Sequence, residues 1–246
     1  MSCSPIRAID ICLPICMVSK MNIEPIAYIH TDFKEKFGIP RQSGRVKSLK
    51  GVIRFLPQYQ NADAIRELDG FSHIWLIFDF SQSHREKWSP TVRPPRLGGN
   101  RKIGVFASRS PFRPNPLGLS CVKLEKIEHT KNGAVLIVSG VDLLDNTPIF
   151  DIKPYLPFAD LIPNAVGGYA DEKKDYSLSV ECPQGMLDCF GDKKQTVIDC
   201  LKEDPRPSYQ SDPDRVYKMN FDGYDVHFKV ENQVATVVCV DKLPQK

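Results

Sequence analysis

The sequence predicts a mainly β protein, in which an N-terminal β-barrel is followed by a small C-terminal α+β domain. Short apolar segments recur about every ten residues between turn-forming residues, which is typical of barrels. Alternating strand–helix units are missing, and no G-x-G-x-x-G follows a strand, so a Rossmann-type nucleotide site is not expected. The 246 residues suffice for one large domain or two small ones.

Six predicted strands and one helix belong to the barrel. The strands are residues 25–30, 51–56, 72–80, 102–107, 119–129 and 134–141. The helix covers residues 61–68, because Ala62, Ile65 and Leu68 follow the helical period and Asn61 is a suitable N-cap. Lys131-Asn132-Gly133 predicts the hairpin turn between the last two strands.

The C-terminal part predicts a strand, a helix and then a three-stranded meander. These elements are residues 177–181, 194–202, 216–221, 224–230 and 234–240. The meander turns are expected at Asp222-Gly223 and Glu231-Asn232. We therefore divide the chain into a weakly structured N-terminal extension (1–21), the barrel (22–168) and the C-terminal α+β domain (169–246).

Charge is concentrated in one segment of a nearly neutral chain, which has 33 basic and 30 acidic residues. Residues 87–124 contain no Asp or Glu, where the average composition would place about five. The segment carries eight cations: Lys87, Arg93, Arg96, Arg101, Lys102, Arg109, Arg113 and Lys123. Such a segment either binds a phosphate-bearing polyanion or is a solvated basic loop, and charge alone does not separate the two.

Two proline-rich arms lie within this basic segment, at residues 93–100 and 109–118. Proline fixes φ and removes a backbone donor, so both arms are expected to be stiff, non-repetitive loops. An arginine on a stiff backbone binds phosphate or carboxylate with little loss of conformational entropy.

The eight cysteines form no C-x-x-C pair, and the five histidines do not fall at metal-ligand spacings, so we predict no metal site. No apolar run approaches the roughly 18 residues of a spanning helix, which predicts no membrane association. Without a secretory signal we expect reduced thiols and a cytoplasmic location, while residues 1–21 leave organellar import open.

Several motifs in fixed order resemble the TsaA-like family, and within it the TrmO type of tRNA methyltransferase. The resemblance covers about residues 23–243. The motifs are Pro40-Arg41-Gln42, Phe71-Ser72-His73-Ile74-Trp75, the two arms, Asp142-Leu143-Leu144-Asp145-Asn146-Thr147-Pro148, Asp151-Ile152-Lys153-Pro154-Tyr155-Leu156-Pro157 and Glu203-Asp204-Pro205-Arg206-Pro207-Ser208-Tyr209.

The resemblance implies a homodimer whose β-barrel binds S-adenosylmethionine without a Rossmann sheet. The implied reaction methylates N6 of threonylcarbamoyl-adenosine beside the anticodon of tRNA. The implied cofactor residues are Pro40, Arg41, Gln42, Gln82, Arg109, Leu119, Val141, Asp142, Leu143 and Leu144. Ser81 is included as a departure, because some relatives have His at the position before Gln82.

Side-chain chemistry then suggests roles for the remaining polar residues. Arg41 or Arg109 suits the cofactor carboxylate, and Asp142 suits its ammonium or ribose. Backbone groups near Leu119 and Leu143 suit the adenine. The acylated N6 is a weak nucleophile, so a base (Asp142 or Asp151) or a cation (Arg113 or Lys153) is expected to assist, and spacing leaves these four open. The predicted tRNA contacts are Arg93, Arg96, Arg113, Asn115, Arg206 and Tyr209.

Two other functions are compatible with the same residues. One is a non-catalytic RNA-binding barrel, which would bind tRNA with strong salt dependence and lack affinity for S-adenosylmethionine. The other is a small-molecule enzyme of the same fold, whose arginines would hold a phosphorylated metabolite. Arg41 has a plain structural alternative as well, which is an ion pair with Glu35 or Asp32.

Overall fold

The structure is a computed structural model that describes residues 22–94, 100–207, 210 and 212–244. The predicted extension (1–21) lies outside the described residues. In chain order the strands are β1 (Ala27–Thr31), β2 (Lys50–Phe55), β3 (His73–Asp79), β4 (Thr91–Val92), β5 (Ile103–Gly104), β6 (Leu117–Thr130), β7 (Gly133–Ser139), β8 (Thr147–Pro154), β9 (Ser179–Glu181), β10 (Tyr217–Phe221), β11 (Tyr224–Glu231) and β12 (Val234–Lys242). The α-helices of the described part are α1 (Pro157–Asp160) and α2 (Lys194–Lys202).

The predicted mainly β fold is confirmed by a closed barrel with the strand order β1-β2-β7-β6-β3-β8. Neighbouring barrel strands are all antiparallel. In β3 the side chains of Ile74, Leu76 and Phe78 are buried while the residues between them are only partly buried. This period of two places one row of apolar side chains inside the barrel.

One barrel strand was not predicted from the sequence, namely β8. It pairs with β1 on one side and with β3 on the other, and it closes the barrel. Prolines normally argue against a strand because they cannot donate to the ladder. Here Pro148 is the second residue and Pro154 the last residue of the strand, so both missing donors lie near its ends.

The helix predicted for residues 61–68 is wrong. Two short 3-10 turns, Ala62–Ile65 and Leu68–Gly70, take its place. Asn61 does cap the first turn, since its side chain accepts a hydrogen bond from the Asp63 backbone. A continuous helix over these residues is interrupted at Glu67, whose backbone is left-handed with a φ of 65°. Only Ile65 of this segment is buried, so little packing energy favours a longer helix.

The strand predicted for residues 102–107 is also largely wrong. Only Ile103–Gly104 forms a strand, β5, which pairs with β4 in a two-stranded ribbon. A 3-10 turn, Val105–Ala107, follows directly. Val105 is buried but the Phe106 side chain is 74% exposed, so the apolar letters of this segment do not mark a core strand.

The C-terminal meander is confirmed, and β9 extends it to a four-stranded sheet with the order β10-β11-β12-β9. Strand β9 runs parallel to β12. The first turn has positive φ at Asp222 and Gly223, as predicted. The second turn has positive φ at Asn232 and Gln233, one residue later than predicted. Helix α2 has the predicted bounds.

The C-terminal sheet packs directly on the barrel, and the buried residues of both form one continuous core. Phe33 meets Phe221 edge to face, with 5.2 Å between ring centroids. Gly38 has a φ of +99°, and a Cβ there would lie 2.5 Å from Cγ of Met219. Within the described residues, no helix has the length and apolar character needed to cross a membrane.

Gly118→Ala is expected to destabilise the barrel strongly. A Cβ at this position would lie 2.2 Å from Cζ of Phe78, a buried ring that cannot move without disturbing the core. We expect a loss of about 3 kcal/mol in the free energy of unfolding, measured by urea denaturation.

Gly70→Ala is the matched control, because a Cβ at Gly70 would meet nothing within 4 Å. A Gly118→Ala protein as stable as Gly70→Ala would contradict the packing of Phe78 against β6.

Candidate functional site

A loop formed by residues 40–44 lies against the chain that leaves β7. The Gly44 backbone donates to the Gly140 carbonyl over 2.8 Å. Gly140 has a φ of +72°, and a Cβ there would lie 3.3 Å from Cα of Gly44. A side chain at residue 140 would therefore be strained and crowded. This close approach brings the Pro40-Arg41-Gln42 motif next to Asp142.

Asp142 is a largely buried carboxyl at this junction. The Ser120 hydroxyl, on β6, donates to its Oδ1 over 2.7 Å. Burial raises the pKa of Asp142 from 3.8 to about 6, although hydrogen bonds from Ser120 and from backbone N–H groups, including that of Ser43, and the charge of Arg109 act in the opposite direction. At neutral pH the group is mainly ionised, and a modest change in its surroundings can protonate it.

Arg109, from the second arm, reaches the same junction. Its Nη1 donates to Oε1 of Gln42, and Nε2 of Gln42 donates to the Arg41 carbonyl over 2.6 Å. The structure thus brings together a guanidinium, an amide and a carboxylate from three separate segments. We define Gln42, Arg109, Ser120 and Asp142 as the polar cluster.

Arg41 connects this site to the C-terminal part of the chain. Its Nη2 donates to the Arg206 carbonyl over 2.8 Å. Arg206 in turn holds Asp204 through two hydrogen bonds, of 2.8 and 3.1 Å, and the Tyr176 hydroxyl donates to Asp204 as well. Asp32, one of the two partners suggested for Arg41, pairs with Lys193 instead.

The other predicted cofactor residues differ in exposure. Pro40, Val141 and Leu143 are buried and Leu144 is partly buried, so these residues shape the junction mainly through their backbone. Ser81 and Gln82 are exposed in the turn after β3, where Lys36 donates to the Gln82 carbonyl over 2.6 Å. Leu119 is 56% exposed and lies on the outer face of β6, beside the inward-facing Ser120.

Asp151 and Lys153, two of the predicted catalytic residues, lie on the outer face of the barrel. Lys153 pairs with Asp151 over 2.9 Å. Asp151 is opposite Ile77 on β3, and Ile77 is opposite Leu119 on β6. Asp142 instead bonds to Ser120, the buried neighbour of Leu119 on β6. The assignment of a base or a stabilising cation among these residues stays a prediction.

The predicted tRNA-contacting residues fall into different environments. Arg93 and Asn115 are exposed, whereas Nη1 of Arg113 donates to the Ser108 carbonyl over 2.9 Å and thereby holds its own arm. The Arg206 side chain is only 11% exposed and pairs with Asp204. Arg96 and Tyr209 lie outside the described residues.

Three donors that could hold a metal ion come together in the C-terminal sheet, although sequence spacing did not indicate them. His227, Cys239 and Asp241 place one ligand atom each within 4.8 Å of one another. Pairing of β11 with β12 sets His227 opposite Cys239. Separations along the chain therefore say little about this cluster, and the absence of a metal stays a prediction.

Sequence reasoning missed Ser120 and Ser43, which stabilise the Asp142 carboxylate. Neither belongs to a motif that we singled out. The available signal for Ser120 was its place in the apolar alternation of β6, where a buried hydroxyl requires a partner.

Comparisons with known proteins bear on this site. Residues 28–161 match the model of the tRNA-methyltransferase O N-terminal domain, and residues 180–243 match that of the TrmO C-terminal domain. The chain is 40% identical, over 87% of its length and 94% of the relative's, to the tRNA (adenine(37)-N6)-methyltransferase of Escherichia coli K12.

A curated relative and a solved structure from Pseudomonas aeruginosa are also similar. A putative S-adenosylmethionine-dependent methyltransferase, RcsF, is 40% identical over 84% of this chain and 91% of the relative. A crystal structure of TrmO from this organism superposes with a TM-score of 0.74 at 33% identity, and covers 90% of this chain and 97% of that one.

Asp142→Asn is expected to change how stability depends on pH. The folded-state pKa lies above the ordinary value, so the folded protein binds more protons than the unfolded chain between pH 3.8 and about 6. This group therefore makes wild-type stability fall as pH rises through that window, and the asparagine removes this contribution. The free energy of unfolding of the variant, relative to that of the wild type, should therefore rise by about 2–3 kcal/mol from pH 4 to pH 7.

Denaturant titrations of both proteins across this pH range measure the difference. Parallel stability curves would show that the Asp142 carboxyl is not desolvated in the folded protein.

Proposed function

The chain belongs to the tRNA-methyltransferase O family, and from this premise we propose that it methylates N6 of threonylcarbamoyl-adenosine next to the anticodon. It is a tRNA (adenine-N6)-methyltransferase that uses S-adenosylmethionine. The modified form of the adenosine, the homodimer and the roles of individual residues are the parts that we propose. The observation that carries the residue roles is the convergence of Arg109, Gln42 and Asp142.

The polar cluster fits the chemistry of S-adenosylmethionine. The cofactor presents a carboxylate, an ammonium group, ribose hydroxyls and an adenine edge. Arg109 offers a guanidinium for the carboxylate, and Asp142 offers a desolvated carboxylate for the ammonium or a ribose hydroxyl. The exposed side chain of Leu119 provides apolar surface, and backbone groups near Leu143 are available for the adenine.

When bound, S-adenosylmethionine supplies an electrophilic methyl group on a sulfonium. The chain's contribution is to hold the acceptor nitrogen in line with that methyl group, because positioning provides much of the rate. Gln42 supports this by fixing the Arg109 guanidinium. Because Arg41 donates to the Arg206 carbonyl, the loop of residues 40–44 is also held by the C-terminal part of the chain.

The threonylcarbamoyl group adds a carboxylate to the substrate, and the basic segment offers cations to receive it. Arg93 and Lys102 are exposed, and the segment of residues 87–124 that contains them has no Asp or Glu. A substrate with both a phosphate backbone and an extra carboxylate suits this segment better than a small metabolite does.

The proposed homodimer would cover apolar surface that one chain leaves exposed. Leu117 is exposed on the outer face of β6. Further exposed apolar side chains follow β8: Phe158, Leu161, Ile162 and Val166. Apolar surface of this kind is typical of the interface between copies of a chain.

Methyl transfer should depend on the threonylcarbamoyl group. Purified protein with labelled S-adenosylmethionine should methylate tRNA that carries threonylcarbamoyl-adenosine, and transfer to the same tRNA without this group should be at least about tenfold slower. The reason is the lost carboxylate contact, since a charge-assisted hydrogen bond contributes about 1.5–3 kcal/mol. Equal rates on both tRNAs would reject the modified substrate and leave the methyltransferase activity intact.

Arg109→Ala is expected to weaken binding of S-adenosylmethionine by about 10- to 100-fold, because the charged contact to the cofactor carboxylate is lost. Calorimetric titration of the full chain measures this affinity. Arg101→Ala is a charge-matched control from the same basic segment, since Arg101 pairs with the exposed Glu172. Equal effects of the two substitutions would mean that Arg109 acts only through the overall charge.

A further inference from the structure

Two large aromatic side chains are exposed side by side in the basic segment. Trp88 is 50% exposed and Phe106 is 74% exposed. Their ring centroids are 6.2 Å apart and their planes differ by 30°, an offset stacked arrangement. Exposing two aromatic rings to water costs free energy that burial elsewhere would avoid, so this pair requires an explanation.

The pair is held by ordered backbone on both sides. Trp88 lies just before β4 and Phe106 just after β5, and these strands form the two-stranded ribbon. The Val105 backbone donates to the Pro90 carbonyl over 2.9 Å, and the Val105 side chain is buried. The aromatic pair therefore occupies one end of a short ribbon whose position is fixed by a core residue.

Three exposed cations flank this ribbon, one beside the aromatic pair and two at the opposite end. Lys87 adjoins Trp88, and Arg93 and Lys102 extend the two strands beyond the paired residues Val92 and Ile103. All three cations are exposed. Arg101 is paired with Glu172, so its charge is partly neutralised. An exposed aromatic pair at one end of the ribbon and two exposed cations at the other provide the two components of single-stranded nucleic-acid binding, namely base stacking and phosphate attraction.

The aromatic pair also lies close to the polar cluster. Only two residues separate Phe106 from Arg109, so their Cα atoms are at most about 11 Å apart. A nucleotide beside the methylated adenosine would pass within reach of this pair, because neighbouring bases of an unpaired loop are only a few ångströms apart.

We propose that Trp88 and Phe106 form a stacking platform for an unpaired base of the tRNA anticodon loop, next to the adenosine that is methylated. The proposal rests on the proposed function for its choice of RNA. A base stacks on the exposed aromatic face, while Lys87 contacts a neighbouring phosphate and Arg93 and Lys102 contact phosphates farther along the strand. Because every base offers a flat face, the platform orients the loop without selecting a sequence.

Binding of an anticodon stem-loop RNA to the full chain tests the platform directly, without methyl transfer. Trp88→Ala and Phe106→Ala should each weaken RNA binding by about tenfold, as expected for the loss of one base–aromatic stack. Trp88→Phe keeps a ring and should stay within about threefold of the wild type. Tyr59→Ala is the matched control, since Tyr59 is an exposed aromatic residue outside the basic segment.

Fluorescence gives a second measurement, because the chain has two tryptophans. In a Trp75→Phe background, Trp88 is the sole tryptophan, and addition of the stem-loop should quench its emission by stacking. Binding of S-adenosylmethionine to Trp88→Ala and Phe106→Ala should match the wild type, because the platform residues do not belong to the polar cluster.

Three results would overturn the platform: unchanged RNA affinity in both alanine variants, a loss of cofactor affinity as large as the loss of RNA affinity, or a change in oligomeric state. The last would assign the aromatic pair to contacts between copies of the chain. Since RNA binding is measured apart from methylation, a failure of the proposed reaction would leave this test readable.

Discussion

The approach of the 40–44 loop to the end of β7 is the constraint on which the site depends. It requires glycine at residue 140, where the backbone is left-handed and Gly44 is close. The same approach places the Ser43 backbone and Arg109 near the Asp142 carboxyl, which is otherwise desolvated. A buried carboxylate is tolerated only where such partners offset the loss of hydration. The site is therefore an outcome of chain packing, and no single motif creates it.

In a Rossmann fold the cofactor binds at the N-terminus of a helix that follows a strand. In this closed barrel the candidate cofactor site is instead formed by loops and strand ends. The cluster draws on a loop between β1 and β2, on β6, on the chain after β7, and on an arm that precedes β6. Because β6 and β7 are adjacent in the barrel, residues far apart in sequence meet at one end. The Arg41–Arg206 contact joins the segment between α2 and β10 to this frame, so both family domains contribute to the site.

Much of this architecture could be predicted from the sequence, and the errors have physical causes. Apolar runs between turn-forming residues predicted β3, β6 and β7, and the turn residues themselves predicted the meander. Strand β8 was missed because prolines normally argue against a strand. Its two prolines are tolerated because they lie near the ends of the strand. The helix at 61–68 and the strand at 102–107 were wrong because only one residue of each, Ile65 and Val105, is buried, whereas Phe106 is exposed. The motif residues Gln42, Arg109 and Asp142 do meet, but Ser120 belongs to no motif, and only the folded chain shows that its partner is Asp142.

The two arginines of the second arm show why a stiff basic loop has more than one role. Arg113 donates to carbonyl groups of its own arm, so its charge helps to fix the backbone. Arg109 projects from that fixed backbone to Gln42, so its position is set before any ligand binds. Rigidity that begins with prolines and one self-bonded arginine thus places the cation of the polar cluster, which is why the stiff backbone of this arm matters for the site as much as its charge does.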